Sequence, residues 1–288
     1  MKTTDTDIIA RGLSDASEEL LRSETVKKGY IKELARLALI DEGDSVGELF
    51  SADGYGGAAL SSSLKAAIGL VGNGASGGIF ARFLTDVYEK RFGEVKDSLL
   101  FPEYDSVPAS ASFVSGSGAD AAFEAFARHF HLSAVHTSRI SSACDAVLDG
   151  DAGYCILPIV SGTDGRLRSF YRMIDVYGLK ISATVTVESV ENVMRYALCK
   201  RNSHPISPSP SRIELSVPCD GATALSLAKA AEALGHGLCE VSSAPSERNG
   251  EIFSFTFILG GSFKSFILYL NLFHPRFTLT GIYDAVTE

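Results

Sequence analysis

The sequence predicts a multidomain protein of mixed α and α/β class, and three features of its patterning carry that prediction. Residues 1–105 show only helical periodicity. From Ser110 onward, short apolar runs of strand length alternate with helical stripes. A stretch rich in proline and serine, "RNSHPISPSPS" at 201–211, then separates this alternation from a second one. The expected division is a helical domain over 1–105, an α/β lobe over 106–201 and a second α/β unit over 211–288.

In the first segment, "SDASEELLRSETVKKGYIKELARLALIDE" places Leu21, Tyr30, Ile31, Leu34, Leu37 and Ala38 on one helical stripe. A glycine-rich break, "GDSVGELFSADGYGGA", is expected next. "ALSSSLKAAIGLV" and "GGIFARFLTDVYEKRF" then give two more helices around a "GNGASGG" turn, and "FPEYDSVPAS" reads as an interdomain linker.

The middle segment opens with the strand "ASFV". The helix "AFEAFARHF" follows, with Phe123, Phe126 and Phe130 on one face, and then the strand "LSAVHTS". "SSACDAVLDGDA" is a helix with Ser141 or Ser142 as N-cap, and "YCILPIV" is a continuous apolar strand of the kind found inside a mostly parallel sheet. A helix over "GRLRSFYRMIDVYG", with Leu167, Phe170, Tyr171 and Ile174 inward, precedes the strands "LKISATVTV" and "NVMRYALCK". Beyond the separator the order is strand, helix, strand, strand, helix, strand: a βαββαβ unit of ferredoxin-like order, with "APSERNGE" as its hairpin loop.

Composition excludes several function classes. A formal charge of −9 over 288 residues argues against a nucleic-acid surface, which needs lysine and arginine in excess. No apolar run reaches the roughly 18 residues of a membrane span. "MKTTDTDIIARGLSDASEELL" is too polar for a secretory leader, so a cytoplasmic location is expected. The five cysteines, Cys144, Cys155, Cys199, Cys219 and Cys239, lack CxxC spacing and are expected as buried free thiols. Scattered histidines argue against a metal site.

Several of these stretches resemble prephenate dehydratase. "ISSACDAVLDGDAGYCILPIVSGTDGRLRSFYRMIDVYGLKISA" is similar to that family's first lobe. There a helix leads into a "V..G.ADYGVLPIENS..G" pattern, a further helix and an "L.I.GE" strand. "ASFVSGSGADAAFEAFARHF" looks like its opening strand and "GPEGTFS" loop, and "ESVENVMRYALCKR" like the strand carrying "N-x-T-R-F". "DGATALSLAKAAEALGHGLCEVSSAPS" sits where the family's ACT regulatory domain shows "PGAL…G.NL..IESRPS". The helical segment occupies the position of a chorismate mutase domain in the bifunctional enzymes.

The resemblance implies a half of a periplasmic-binding-protein-like fold in the middle and an ACT domain at the end. It places the protein in phenylalanine biosynthesis, as a carbon–oxygen lyase or chorismate mutase if active, without cofactors. A small carboxylate or aromatic amino acid is the implied ligand and a homodimer the implied assembly. The ligand-binding positions it points to are Ser117, Gly118, Ser161, Gly162, Thr163, Asn192 and Arg195 in the lobe. In the ACT-like part they are Gly221, Ala222, Leu225, Ser242 and Ser243.

The sequence also departs from the family. Its "PIENS" is "PIVSG" here, so a glutamate becomes Val160, and the threonine that would protonate the leaving hydroxyl becomes Met194. A thioether has no proton to give. Ser242 and Ala244 replace the glutamate and arginine of "ESRP". The second lobe that the family inserts before "TRF" is missing, because only a few residues separate "LKISATVTV" from "NVMRY". These departures predict a protein that has lost dehydratase catalysis and binds, regulates or scaffolds. Retained mutase or dehydratase activity is the alternative.

Overall fold

A computed structural model of the chain describes residues 5–40, 43–54, 60–101, 107–188, 193–218, 223–246 and 250–287. The chain opens with helix α1 (Asp5–Ala38), a 3₁₀ helix (Gly43–Phe50), α2 (Ser62–Val71), α3 (Ala75–Phe92) and the single turn α4 (Asp97–Leu100). The Ser61 hydroxyl caps α2 by accepting from the Leu64 N–H at 3.1 Å. Two expectations are corrected here. The glycine-rich stretch is not a plain break, since its 3₁₀ helix buries Val46, Leu49 and Phe50. On α1 the inner face is Ile31, Ala35 and Ala38, whereas Tyr30 and Leu37 are exposed. Alanines at that seam let α1 lie close against α3, and the larger side chains turn outward.

The middle lobe comprises β1 (Ser110–Val114), α5 (Ser117–Phe130), β2 (Ser133–Thr137), α6 (Ile140–Leu148) and β3 (Tyr154–Ser161). The two-residue strand β4 (Gly165–Arg166), α7 (Arg168–Val176), β5 (Lys180–Glu188) and β6 (Val193–Lys200) complete it. Phe126 of α5 is fully buried, and Phe123 and Phe130 pack beside it against the strand residues Phe113, Ile156, Val185 and Leu198. The other sheet face carries α6 and α7 through Cys144, Val147 and Ile174. Helix α6 starts at Ile140 with Arg139 at its N-cap and no side-chain cap bond, so neither Ser141 nor Ser142 plays that part.

The last unit comprises β7 (Arg212–Pro218), α8 (Thr223–Ala233), β8 (Gly237–Ser246), β9 (Gly250–Ile258), α9 (Phe263–Phe273) and β10 (Thr278–Val286). Its strands lie in the order β10-β7-β9-β8, with β10 also paired to β5, so that one ten-stranded sheet runs β2-β1-β3-β6-β5-β10-β7-β9-β8 with β4 attached to β3. The expectation of a mostly parallel sheet is corrected. Along that path three pairings are parallel and five antiparallel, because the β5–β6 pair is a hairpin and the last unit folds on itself.

Helices α1 to α4 and the helical face of the last unit share one hydrophobic core, which includes Phe50, Phe80, Leu84, Phe255, Phe266 and Tyr269. Helix α3 lies between α1 on one side and α8 and α9 on the other. A Cβ at Gly78 would come 2.8 Å from the Ala230 carbonyl, so glycine permits this α3–α8 approach. Buried polar groups are matched across the seam. Asn271 donates to the Leu49 and Ser51 carbonyls at 2.8 and 2.9 Å, and the Ser265 hydroxyl bonds Thr85 at 3.1 Å.

The 201–211 stretch is not a free linker. Asn202 and Ser203 are buried, and the Ser211 N–H donates to Asp284 at 2.7 Å. Cys144, Cys155 and Cys199 are buried free thiols, but Cys239 is exposed on the outer strand β8, and Cys219 lies outside the described residues.

Lys200, at the end of β6, is only 5% exposed, and burial pulls its pKa down to about 8. Among the described residues no carboxylate pairs with it. The unfolded chain therefore holds the extra proton between pH 8 and the ordinary lysine value of 10.5, and stability rises with pH across that window. Lys200→Met is expected to stabilise the protein at pH 7 by roughly 1–3 kcal/mol and to flatten that rise, as read by urea unfolding across pH. Asn271→Ala is expected to cost about 1–3 kcal/mol, because two carbonyls lose their buried donor.

Candidate functional site

The carboxyl ends of β1, β2 and β3 meet the start of α5, the crevice position where open α/β sheets bind ligands. The Ser115 hydroxyl hydrogen-bonds His136 Nδ1 at 2.8 Å across the ends of β1 and β2, and the His136 ring packs edge-on against Phe113. At the helix start the Gly116 N–H donates to Asp120 Oδ2 at 3.0 Å. Ser117 opens α5, and a Cβ on Gly118 would collide with the Tyr196 hydroxyl. Glycine there lets the phenol reach the helix backbone. Burial raises the Tyr196 pKa, so the phenol keeps its proton.

The "SGTDG" stretch forms the tight hairpin between β3 and β4. Its N–H groups are already engaged. The Gly162 N–H donates to the Val193 carbonyl at 2.7 Å, and the Thr163 and Asp164 N–H groups donate to the Ser161 hydroxyl at 3.3 Å each. The Ser161 and Thr163 hydroxyls bond each other at 2.9 Å. These contacts knit the turn and leave these amides no free donor for an anion.

Register fixes the rest. Met194 lies opposite Ser161 and Val187, and Arg195 opposite Val160 and Thr186. Strand alternation puts Met194 and Tyr196 on the α5 face with Val187, and Arg195 on the face that carries α6 and α7. Gly118, Ser161 and Met194 therefore share one side of the sheet, and Arg195 does not join them. Asn192, Gly221 and Ala222 lie outside the described residues. Leu225 is exposed on α8, and Ser242 and Ser243 sit on β8 opposite Ser254 and Phe253. No group of His, Cys, Asp and Glu among the described residues is placed to hold a metal ion, and no described helix is long and apolar enough to cross a membrane.

One constellation was not foreseen from sequence. Glu214, 1% exposed on β7, makes an ion pair with Arg166 of β4 and accepts from the Tyr283 hydroxyl at 3.0 Å. The Arg166 guanidinium lies 3.5 Å from the centre of the Tyr171 ring. The cluster joins the middle lobe to the last unit. Its signal in the sequence is slight: a glutamate inside the apolar strand "IELSVP". Burial and the Glu214 carboxylate hold the phenols of Tyr171 and Tyr283 well above the ordinary tyrosine range.

No family model matches the sequence, and no curated protein matches it. Solved structures do. Prephenate dehydratase from Streptococcus mutans is similar at 16% identity over 62% of this chain and 98% of that chain, with a TM-score of 0.47. GqqA, described as a novel type of quorum quenching acylase, is similar at 18% identity over 61% of this chain and 94% of that chain, with a TM-score of 0.46. Prephenate dehydratase from Arthrobacter aurescens, solved with L-Phe, is similar at 12% identity over 61% of this chain and 89% of that chain, with a TM-score of 0.49.

Removing one member of the buried pair leaves the other charge uncompensated. Arg166→Met is therefore expected to cost roughly 3–5 kcal/mol in urea unfolding, and the double change with Glu214→Leu to recover most of that loss.

Proposed function

We propose that the chain is a prephenate-dehydratase-related protein that has lost dehydration chemistry and acts by binding a small carboxylate or aromatic amino acid, pairing as a homodimer in a regulatory role. The observation that supports this best is the β5–β6 hairpin. Glu188 pairs with Val193, and only residues 189–192 lie between the two strands. A cleft that excludes water from both sides of a substrate needs a second wall, and no lobe is inserted at this point to supply one. The free edge of β5 is taken by β10 instead. Met194, opposite Ser161, offers no proton where the related enzymes are expected to draw one.

A second reading is favoured by Tyr196. Its phenol shares the α5 face with Met194, touches the start of α5 at Gly118 and keeps its proton at neutral pH. A substituted acid at that point would preserve some dehydratase turnover.

Purified protein supplied with prephenate separates the two. The first reading expects no phenylpyruvate above the spontaneous rate, and Met194→Thr without effect. Turnover that disappears in Tyr196→Phe would establish the second.

A further inference from the structure

A cleft of about 1120 Å³ lies away from the strand ends, between the end of α3, the strap over 204–210 and the loop from β9 to α9. Four side chains of fixed charge line it: Glu89, Glu94, Asp97 and Lys264. Three carboxylates face one ammonium, so negative charge is in excess. Lys264 Nζ bonds Glu94 at 2.8 Å and Glu89 at 3.3 Å. Among the described residues no ion pair engages Asp97.

The rest of the lining is short of hydrogen-bond donors. Pro205, Pro208 and Pro210 carry no N–H. The Leu259 N–H is taken by the Ser211 carbonyl and the Phe101 N–H by the Asp97 carbonyl, each at 2.8 Å. The N–H groups of Gly260 and Gly261 donate to Nδ1 of the buried His236, at 3.3 and 3.4 Å. His204 donates from Nδ1 to the Pro205 carbonyl at 2.9 Å. A ligand must therefore bring N–H groups of its own, and the carboxylates are there to accept them. The apolar wall is aromatic. Phe101 stacks on Phe263 with ring centres 6.0 Å apart, and His204 lies 5.2 Å from Phe101. Ring faces attract an ammonium and also shelter an aliphatic chain from water.

We propose that this cleft binds a linear aliphatic polyamine. An anion would meet a repulsive field, because a cleft lined mainly by one sign of charge concentrates that sign, and its single lysine is already held by Glu89 and Glu94. A bare metal ion would leave the aromatic and proline wall idle, and no described group of carboxylates converges closely enough to hold one. A polyamine uses both parts of the lining. One ammonium pairs with Asp97 and a second with Glu94, which is 84% exposed, and Lys264 keeps Glu89. The methylene chain between them lies along Phe101, Phe263 and the strap prolines. The site is separate from the strand-end crevice and from β8.

Calorimetric titration of the full chain with putrescine, spermidine and n-butylamine, at a physiological salt concentration of about 0.15 M, tests this. Saturable binding of spermidine is expected. It should be weaker by about tenfold or more for n-butylamine, which carries one ammonium, and for spermidine in Asp97→Asn and Glu94→Gln. Lys264→Met should tighten it several-fold, because the competing cation is gone; a purely structural lysine would give no such gain. Hydrogen–deuterium exchange should slow over 259–264 and 204–210 on binding, and equimolar Mg²⁺ should not displace spermidine. Absence of saturable binding, undiminished binding in both carboxylate variants, displacement by equimolar Mg²⁺, or weaker binding in a folded Lys264→Met would each overturn the proposal. Asp97 and Glu94 are exposed, so their variants decide the matter if Lys264→Met does not fold. Phenylpyruvate formation from prephenate would sink the preceding reading and leave this one standing.

Discussion

The parallel pairing of β5 with β10 is the contact on which the arrangement of this molecule rests. It converts a six-stranded lobe and a four-stranded unit into one continuous sheet, with Gly281 beside Ile181 and Val286 beside Val185. Gly281 is needed for it, because a Cβ there would collide with the Ile181 carbonyl. A bulge between Gly281 and Asp284 lets β10 serve β7 on its other edge, where the ladder is antiparallel. Main-chain bonds of this kind are local and directional, so the two units have one relative placement. Arg166, Glu214 and Tyr283 fix it further with a buried charged cluster.

That placement governs the chemistry available. An edge filled by β10 cannot receive another wall, and the strand-end crevice stays open on the side where Ser115 and His136 lie exposed. Charge–charge contacts are weak in such open surroundings because water screens them. Elsewhere the helical segment and the last unit merge into one core, with a cleft at its margin.

Element type and order were largely legible in the sequence, because period is a local property. The helical phenylalanines of α5, the apolar run of β3 and the βαββαβ order of the last unit were all visible as spacing. Pairing was not. Nothing local in "LKISATVTV" says that its second neighbour is β10, since that partner lies about a hundred residues away. The glycine-rich stretch after α1 misled because its glycines masked three apolar residues with a core to fill. Among the candidate site residues, Gly118 and Met194 could be picked out by motif, but the split of Met194 and Arg195 onto opposite faces follows from register. Glu214 and Arg166 stayed hidden because a charge inside a strand becomes a site only when its counter-ion arrives from another element.

Chain order adds a kinetic consequence to the β5–β10 contact. Of the described strands, β10 is the last to leave the ribosome, yet it lies in the interior of the sheet. While the chain is being made, the Ile181–Val185 edge of β5 waits without its neighbour. An open apolar edge of that sort invites pairing with other nascent copies. Such long-range closure is also slow, because distant loops must be ordered before any contact rewards them.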